Sequence, residues 1–400
     1  MLNVAEAYAR VLSTTRPLPP ETVALPAAAG RLLAQDLVAD RDFPPFHRVA
    51  MDGIALAHAA WAAGQTEFAI EGSQFAGAPS VPLQSPLAAR EVMTGAVLPP
   101  GTDTVVRYED LSLADGRATL LIPPPEKPGT HIHPRAADRR AGELLLPAGT
   151  RLGPAELAVA ATVGAAQVQV QRRARLAVVS TGDELVEIDA TPLPHQIRRS
   201  NAYALQALLQ PAGAEVSLFH LTDELSSLRS GLTNILAAGF DAVVLSGAVS
   251  KGRADHLPAL LQELGVQEIF HEVSQRPGKP LWFGARAGGP VVFGLPGNPV
   301  STFLTACRYV RPWLQACQQG LAPPLPPLAL LTEEVVFRPQ LSYLLPVRLH
   351  VDAQGRRLAT PRPTGGSGDL AGLIGADAFV ELPAGESVFP AGSAWPAWEI

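Results

Sequence analysis

The sequence predicts a multidomain α/β plus β protein. A doubly wound α/β domain forms its centre, a β-rich module precedes it and a small β domain follows. Three observations carry this prediction. The chain has 400 residues, too many for one ordinary core, so two to four domains are expected. From Arg173 onward, near-continuous apolar strands alternate with helical stretches, the pattern of a parallel sheet covered on both faces. On either side, short alternating runs are separated by turn residues, a β pattern.

The elements follow in order. Val4, Tyr8, Val11 and Leu12 share one helical face, and that helix ends before Pro17. Residues 43–138 read as a β-rich module, with Asp115-Gly116 as a hairpin turn. "GPAELAVAATVG" is a helix with Pro154 at its first position and Gly164 past its end. "RLAVVS" is a buried strand. "NAYALQALLQPAG" is a helix capped by Asn201 and stopped at Pro211. "EVSLFHL" is a strand, and "ELSSLRSGLTNILAAG" is a helix with Leu225, Leu228, Leu232, Ile235 and Leu236 on one face. "DAVVLS", "LPALLQELG", "PVVFGLPGN" and "PVSTFLTACRYVRPWLQ" complete a strand–helix–strand–helix run. Gly320 to Leu328 is a proline-rich linker, and the remainder to Ile400 is a small β domain.

Composition excludes several classes. A formal charge of −6 argues against bulk binding to nucleic acid or to an anionic membrane surface. No stretch approaches the ~20 apolar residues needed to span a bilayer, and the N-terminus lacks a signal-peptide pattern. Cys307 and Cys317 lie in an apolar helical segment and are expected to be buried thiols, which fits a reducing cytoplasm.

Three strands of the α/β domain run into polar, glycine-bearing loops. These are "VVSTGDELVE" with Ser180, Thr181, Gly182, Asp183 and Glu184, "VVLSGAVSKGRADH" with Ser246, Gly247, Ser250, Lys251 and Asp255, and "GLPGNPVS" with Gly297, Asn298 and Ser301. Parallel strands place such loops on one sheet edge, where α/β proteins bind ligands. Backbone N–H groups there suit phosphates or oxyanions, and the carboxylates suit a hard cation such as Mg²⁺. "QRPGKPLWFG" adds Lys279 between stiffening prolines. Each loop alone is as readily a plain turn; three in one domain are harder to dismiss. Asp183 and Asp223 each have a bland reading as helix caps. Asp52 before Gly53 reads as a turn. His131 and His133 read as surface strand positions, and Trp282 as core packing.

"MDG" at Met51–Gly53, "MTG" with Thr94, "STGDEL", Ser200–Asn201, the Ser246–Asp255 loop, "PGKP", "LPGNP" and "GSG" at Gly366–Gly368 occur in that order. Together they resemble the molybdopterin molybdenumtransferases, the MoeA and gephyrin E-domain family, over nearly the whole chain. The resemblance implies an elongated first domain from 1–42 and 139–172, the inserted domain 43–138, a molybdopterin-binding α/β domain 173–319 and a C-terminal β-barrel 320–400. It implies a homodimer whose site lies between the central domain of one subunit and the inserted domain of the other. The implied reaction inserts molybdate into adenylylated molybdopterin, with release of AMP and help from Mg²⁺. The resemblance gives catalytic roles to Asp52, Thr94, Glu184, Asp223, Asp255 and Lys279. Metal ligands would be Asp138, Glu184, Asp223 and Asp255. The pterin nucleotide and molybdate would meet Ser180, Thr181, Gly182, Asp183, Ser246, Gly247, Ser250, Pro296, Gly297, Asn298 and Pro299. An arginine of the C-terminal domain is implied near the molybdate, and Arg348, two positions off, is the nearest candidate. Molybdopterin adenylyltransferase or apo-molybdoenzymes are the implied macromolecular partners. The chain departs from the family pattern at His47–Val49, Ile54, Arg199, Ala248 and Lys251. Alternatives are a degenerate molybdopterin-binding dimeric scaffold and a molybdopterin adenylyltransferase.

Overall fold

A computed structural model describes residues 1–247, 257–320 and 323–400. The chain divides into two compact units. One is Thr22–Val170; the other joins Met1–Glu21 to Gln171–Ile400.

The first helix, α1 (Val4–Leu12), is closed by a capping box between Asn3 and Glu6. It buries Val4, Ala7 and Val11 in the core of the larger unit.

The unit Thr22–Val170 is built on a six-stranded sheet. Its strands are β1 (Gly53–Leu56), β2 (Glu67–Gln74), β3 (Ala88–Val92), β4 (Thr104–Arg107), β5 (Leu111–Ala114) and β6 (Arg117–Leu120), in the order β4-β1-β3-β2-β6-β5. The predicted hairpin joins β5 to β6, and both turn residues, Asp115 and Gly116, have positive φ as a type I′ turn requires. Ile54, a departure from the family pattern, is fully buried among Leu56, Phe68 and Val106, which explains an apolar residue there. A second cluster, with Leu33, Leu37, Leu146, Leu152 and Val170, gathers the flanking segments around α2 (Pro154–Thr162).

In the larger unit, β7 (Ala174–Thr181), α3 (Ser200–Leu209), β8 (Ala214–Leu221), α4 (Leu225–Ala237), β9 (Ala242–Ser246) and α5 (Leu257–Glu263) alternate as predicted. Then come β10 (Val266–His271), β11 (Trp282–Arg286), β12 (Val291–Leu295) and the helix α6 (Pro299–Thr305). The sheet order is β8-β7-β9-β12-β11-β10. Its first four strands are parallel, while β11 and β10 extend the sheet antiparallel, a pair the strand–helix alternation did not reveal. One face packs on α1, α3 and the helix α7 (Arg311–Gln319); the other packs on α4 and α5. A π-helical turn, Ala306–Val310, joins α6 to α7. Cys307 and Cys317 are buried, and burial pushes their thiols up to about 12 and about 11.

The C-terminal strands β13 (Leu328–Leu331), β14 (Ser342–Val351), β15 (Arg357–Pro361), β16 (Ala378–Leu382) and β17 (Ala394–Glu399) run β14-β15-β13-β17-β16. Pairing of β16 with β14 closes them into a five-stranded barrel. Arg308, in the π turn, is stacked between the rings of Trp398 and Tyr8 at 4.1 and 4.3 Å and bonds Glu381 at 2.7 Å. Among the described residues no helix is long and apolar enough to cross a membrane.

Three local expectations are corrected. Arg199, not Asn201, is the N-cap residue of α3, which leaves the Asn201 amide free for other bonds. Glu224, not Asp223, caps α4, because its carboxylate accepts the N–H groups of Ser226 and Ser227. Asp183 caps no helix; Leu185–Val186, which follows it, pairs as a short strand with Ile197–Arg198. Trp282 is core, as expected, and its indole N–H bonds Glu268 at 2.9 Å.

Candidate active site

Register brings the strand-end loops level. Ser180 pairs across from Ser246, and Ser246 from Leu295, so β7, β9 and β12 finish flush and their loops share one sheet edge. Gly247 has φ +105°, and a Cβ there would lie 2.9 Å from the Thr181 carbonyl oxygen, so only glycine fits. Its N–H donates to Leu295 O at 3.2 Å. Asn201 stitches the edge together: its amide donates to Ser246 Oγ at 2.9 Å and Gly297 O at 2.8 Å. This role was hidden in the sequence behind the reading of Asn201 as a cap. Ser180 Oγ is buried and has no hydrogen-bond partner among the described residues. A buried hydroxyl of this kind calls for a partner such as a water, an ion or a ligand.

The antiparallel pair explains how Lys279 reaches the same edge. Trp282, the first residue of β11, lies opposite Gly294 near the end of β12. The connection from β10 to β11 therefore crosses at the carboxyl ends of the parallel strands. Two buried groups fix its shape. The Tyr309 hydroxyl donates to Gln275 Oε1 at 2.6 Å, and Gln275 Nε2 donates to Gly278 O at 3.2 Å. The Lys279 carbonyl accepts from Val273 and Leu281, so the backbone is held while the ammonium stays exposed.

A cleft of about 380 Å³ lies beside this loop. Lys279, Pro296, Asn298 and Ser301 line it, together with Arg276 and with Ser367 of the "GSG" motif, neither of which was given a site role. Ser367 anchors the "GSG" loop there: its hydroxyl accepts from Asn298 Nδ2 at 2.8 Å and its carbonyl accepts the Val300 N–H at 3.0 Å. The adjacency of Arg276 to "PGKP" was the available signal. Arg348 is not among the residues lining this cleft.

The acids divide into groups. Asp183 Oδ1 accepts the Asp223 N–H at 3.0 Å, which ties the ends of β7 and β8 together. The carboxylates of Glu184 and Asp223 have no hydrogen bond or ion pair among the described residues. They are hard oxygen donors, and Mg²⁺ is commonly held by one or two carboxylates plus waters and substrate phosphates, so this donor set fits it. No group of three metal-ligating side chains occurs among the described residues. Asp255, Ser250, Ala248 and Lys251 lie outside those residues. Arg199, another departure from the family pattern, is paired with Glu187 at 2.8 Å.

The remaining expected residues belong to the unit Thr22–Val170. Asp52 Oδ1 accepts both the N–H and the hydroxyl of Thr94, at 2.6 and 2.7 Å. The N–H bond foremost, and then the hydroxyl, holds the carboxyl below its usual range. Gly53 is required because a Cβ would run into the Val106 carbonyl. Asp138 bonds His133 Nε2 at 2.9 Å, so its carboxylate has a partner already.

A mixed sheet with its polar loops at one edge, and a cationic cleft beside a β-barrel, define an anion-binding α/β protein. Residues 177–316 match the family described as a probable molybdopterin binding domain. Residues 2–164 match the MoeA N-terminal region (domain I and II), and 329–398 match the MoeA C-terminal region (domain IV). The molybdopterin molybdenumtransferase of Synechocystis sp. is 37% identical over 402 residues, covering 100% of both chains. That of Bacillus subtilis is 31% identical over 400 residues, covering 98% of this chain and 92% of its own. A MoeA crystal structure from Pyrococcus horikoshii superposes with TM-score 0.85 at 29% identity, covering 100% of this chain and 99% of its own. The chain belongs to the molybdopterin molybdenumtransferase family.

Proposed function

We propose that this protein inserts molybdate into adenylylated molybdopterin, releasing AMP and forming molybdenum cofactor. The observation that carries this reading is the cleft in which Lys279 of "PGKP" and Asn298 of "LPGNP" converge with Arg276 and Ser367. Two cations beside amide and hydroxyl donors form a site for an oxyanion, and the strand-end loops next to it suit the phosphates of a pterin nucleotide. Lys279 offsets the negative charge that gathers as the adenylate leaves. Asn298 and Ser301 orient the oxyanion, and Asn201 holds the loops at fixed spacing. Glu184 and Asp223 would hold Mg²⁺, joined by Asp255. When bound, Mg²⁺ supplies charge neutralisation at the phosphates. Asp52, kept ionised by Thr94, would meet the pterin nucleotide from the inserted domain of a second subunit, so the working form is a homodimer. A reducing cytoplasm suits the two buried thiols.

The departures at Ile54 and Arg199 have structural accounts in core packing and an ion pair, so neither favours the scaffold alternative. The test is AMP release by purified protein given adenylylated molybdopterin, Mg²⁺ and molybdate. Molybdate-dependent release supports the reading. Tight pterin binding without release would replace it with a delivery scaffold.

A further inference from the structure

The peptide groups on both sides of the Lys279 Cα are held, by different means. The one that follows presents the Lys279 carbonyl, which accepts the N–H groups of Val273 and Leu281 at 3.0 and 2.9 Å. The one that precedes presents the Gly278 carbonyl, which accepts Gln275 Nε2 at 3.2 Å. Each peptide group is a rigid plane, so holding both sets the direction in which the Lys279 side chain leaves the backbone. The first restraint is made by backbone alone. The second rests on one side chain, and Gln275 is fully buried. With Arg276 it pairs alongside Ser342 and Tyr343 of β14.

An amide can be seated in two ways, and Tyr309 decides between them. Burial pushes the Tyr309 hydroxyl above its usual range, so it stays protonated and donates to Gln275 Oε1 at 2.6 Å. The amide nitrogen is thereby turned to the Gly278 carbonyl. The reversed amide would set its oxygen against that carbonyl, two acceptors face to face. Tyr309 comes from the π turn Ala306–Val310, a kind of turn that is rare and concentrated at functional sites. Within it Cys307 packs with Leu344, Phe379 and Trp398 of the barrel, whereas Ala306, Tyr309 and Val310 pack toward the sheet. Arg308 grips Glu381 of the barrel. The turn thus sends one residue to the barrel and the next to the Lys279 loop.

We propose that Tyr309, acting through Gln275, is a positioning residue for Lys279: it fixes the root of the side chain so that the ammonium meets the charge developing in the cleft. Two buried hydrogen bonds carry this control from the π turn to the peptide bond before Lys279. Tyr309 is not among the residues lining the cleft, so it acts only through others. A lysine stem is flexible and its head is a point charge, so its aim depends on how firmly the backbone beneath it is held. The aiming role rests on the reading of Lys279 as the cation that faces the leaving adenylate; the anchoring of the loop does not.

The test is a double-mutant cycle, read in molybdate-dependent AMP release by the intact protein. Y309F should lower kcat about tenfold while Lys279 is present, because a small misplacement of a charge-stabilising group is costly. In the K279A background, Y309F should change nothing further. A tyrosine that served the fold alone would lower both by the same factor. That result, or an undiminished kcat in Y309F, would overturn the proposal. Y309F leaves Gln275 Oε1 buried without its donor, so Q275M/Y309F is the second variant. Exchanging both partners for apolar groups of similar shape should restore stability and keep the slow turnover. Full turnover in that variant would also overturn the proposal. Amide hydrogen exchange gives a readout without substrate. The Val273 and Leu281 N–H groups, which bond the Lys279 carbonyl, should exchange about tenfold faster in Y309F while those of β9 do not change. Unchanged exchange at both would mean that Tyr309 does not hold the loop. A K279A protein that releases AMP at the wild-type rate would overturn both this proposal and the role given to Lys279. If the wild type releases no AMP, the proposed reaction fails, while the exchange still decides the anchoring.

Discussion

Lys279 and Asp52 show what single residues contribute. Lys279 is held by its backbone and left free at its ammonium, so Lys279→Ala removes charge without disturbing the loop. The loss of transition-state stabilisation should be on the order of 2–4 kcal/mol, read from kcat/KM for AMP release. Asp52 makes its contribution through Thr94. A carboxyl with a lowered folded pKa gives stability that is present above its unfolded pKa and lost as pH falls through the folded value. Thr94→Val keeps the N–H bond and removes the hydroxyl bond. The Asp52 carboxyl should then titrate at higher pH, followed by NMR, and the acid limb of stability should begin at higher pH. An unchanged titration would show that the hydroxyl contributes nothing. Lys279 stood out in the sequence as a cation set between a glycine and prolines, whereas Asp52 reads as a plain turn and only the family resemblance drew attention to it. Asn201 was misread because a cap and a bridge have the same local sequence; only the register of β7, β9 and β12 separates them.

At the scale of elements, the turn from β8 into α4 separates two neighbouring acids. Glu224 caps the helix, and Asp223 is left with a free carboxylate. Glu224→Ala should destabilise the fold by roughly 1 kcal/mol in denaturant titrations, with the Mg²⁺ requirement unchanged. Asp223→Asn should leave the melting transition in place and raise the Mg²⁺ needed for half-maximal AMP release. The reverse pattern would exchange their roles. Apolar runs and turn residues made most strands readable, including the hairpin at Asp115-Gly116. The antiparallel pair β10 and β11 was not readable. "VQEIFH" carries polar residues among its apolar ones, because β10 is an edge strand with half-buried positions, and a continuous apolar run marks only central strands. That omission hid how "PGKP" reaches the ligand edge.

At the scale of the molecule, the proposed dimer makes a prediction of its own. Mixed heterodimers of Asp52→Ala and Glu184→Ala subunits should recover part of the activity that each homodimer lacks. No recovery after confirmed subunit exchange would place both residues in separate sites or within one chain. Arg308 holds together parts of the larger unit that are distant in sequence. Arg308→Met would leave Glu381 without its partner in a largely buried setting, and should cost about 3–5 kcal/mol in denaturant melts. A cost within experimental error would mean that ring packing alone suffices.

The position of α1 has a consequence for synthesis. Val4, Ala7 and Val11 are made before Thr22–Val170, yet they share a core with Phe270, Val273 and Trp313, which are made after it. All of Thr22–Val170 is made in between, and that unit can close on its own sheet while α1 still lacks its partners. Contacts spanning such a separation form slowly, because the intervening loop must be closed first. Until its partners are made, the apolar face of this nine-residue segment has nothing native to pack against, and a helix of that length is marginal in water on its own. When α1 docks, Leu2 exchanges backbone bonds with Glu272 and Ser274, the segment leading into "PGKP". A segment made before Thr22–Val170 thus completes the scaffold of the Lys279 loop, and that loop is finished only after the segment docks.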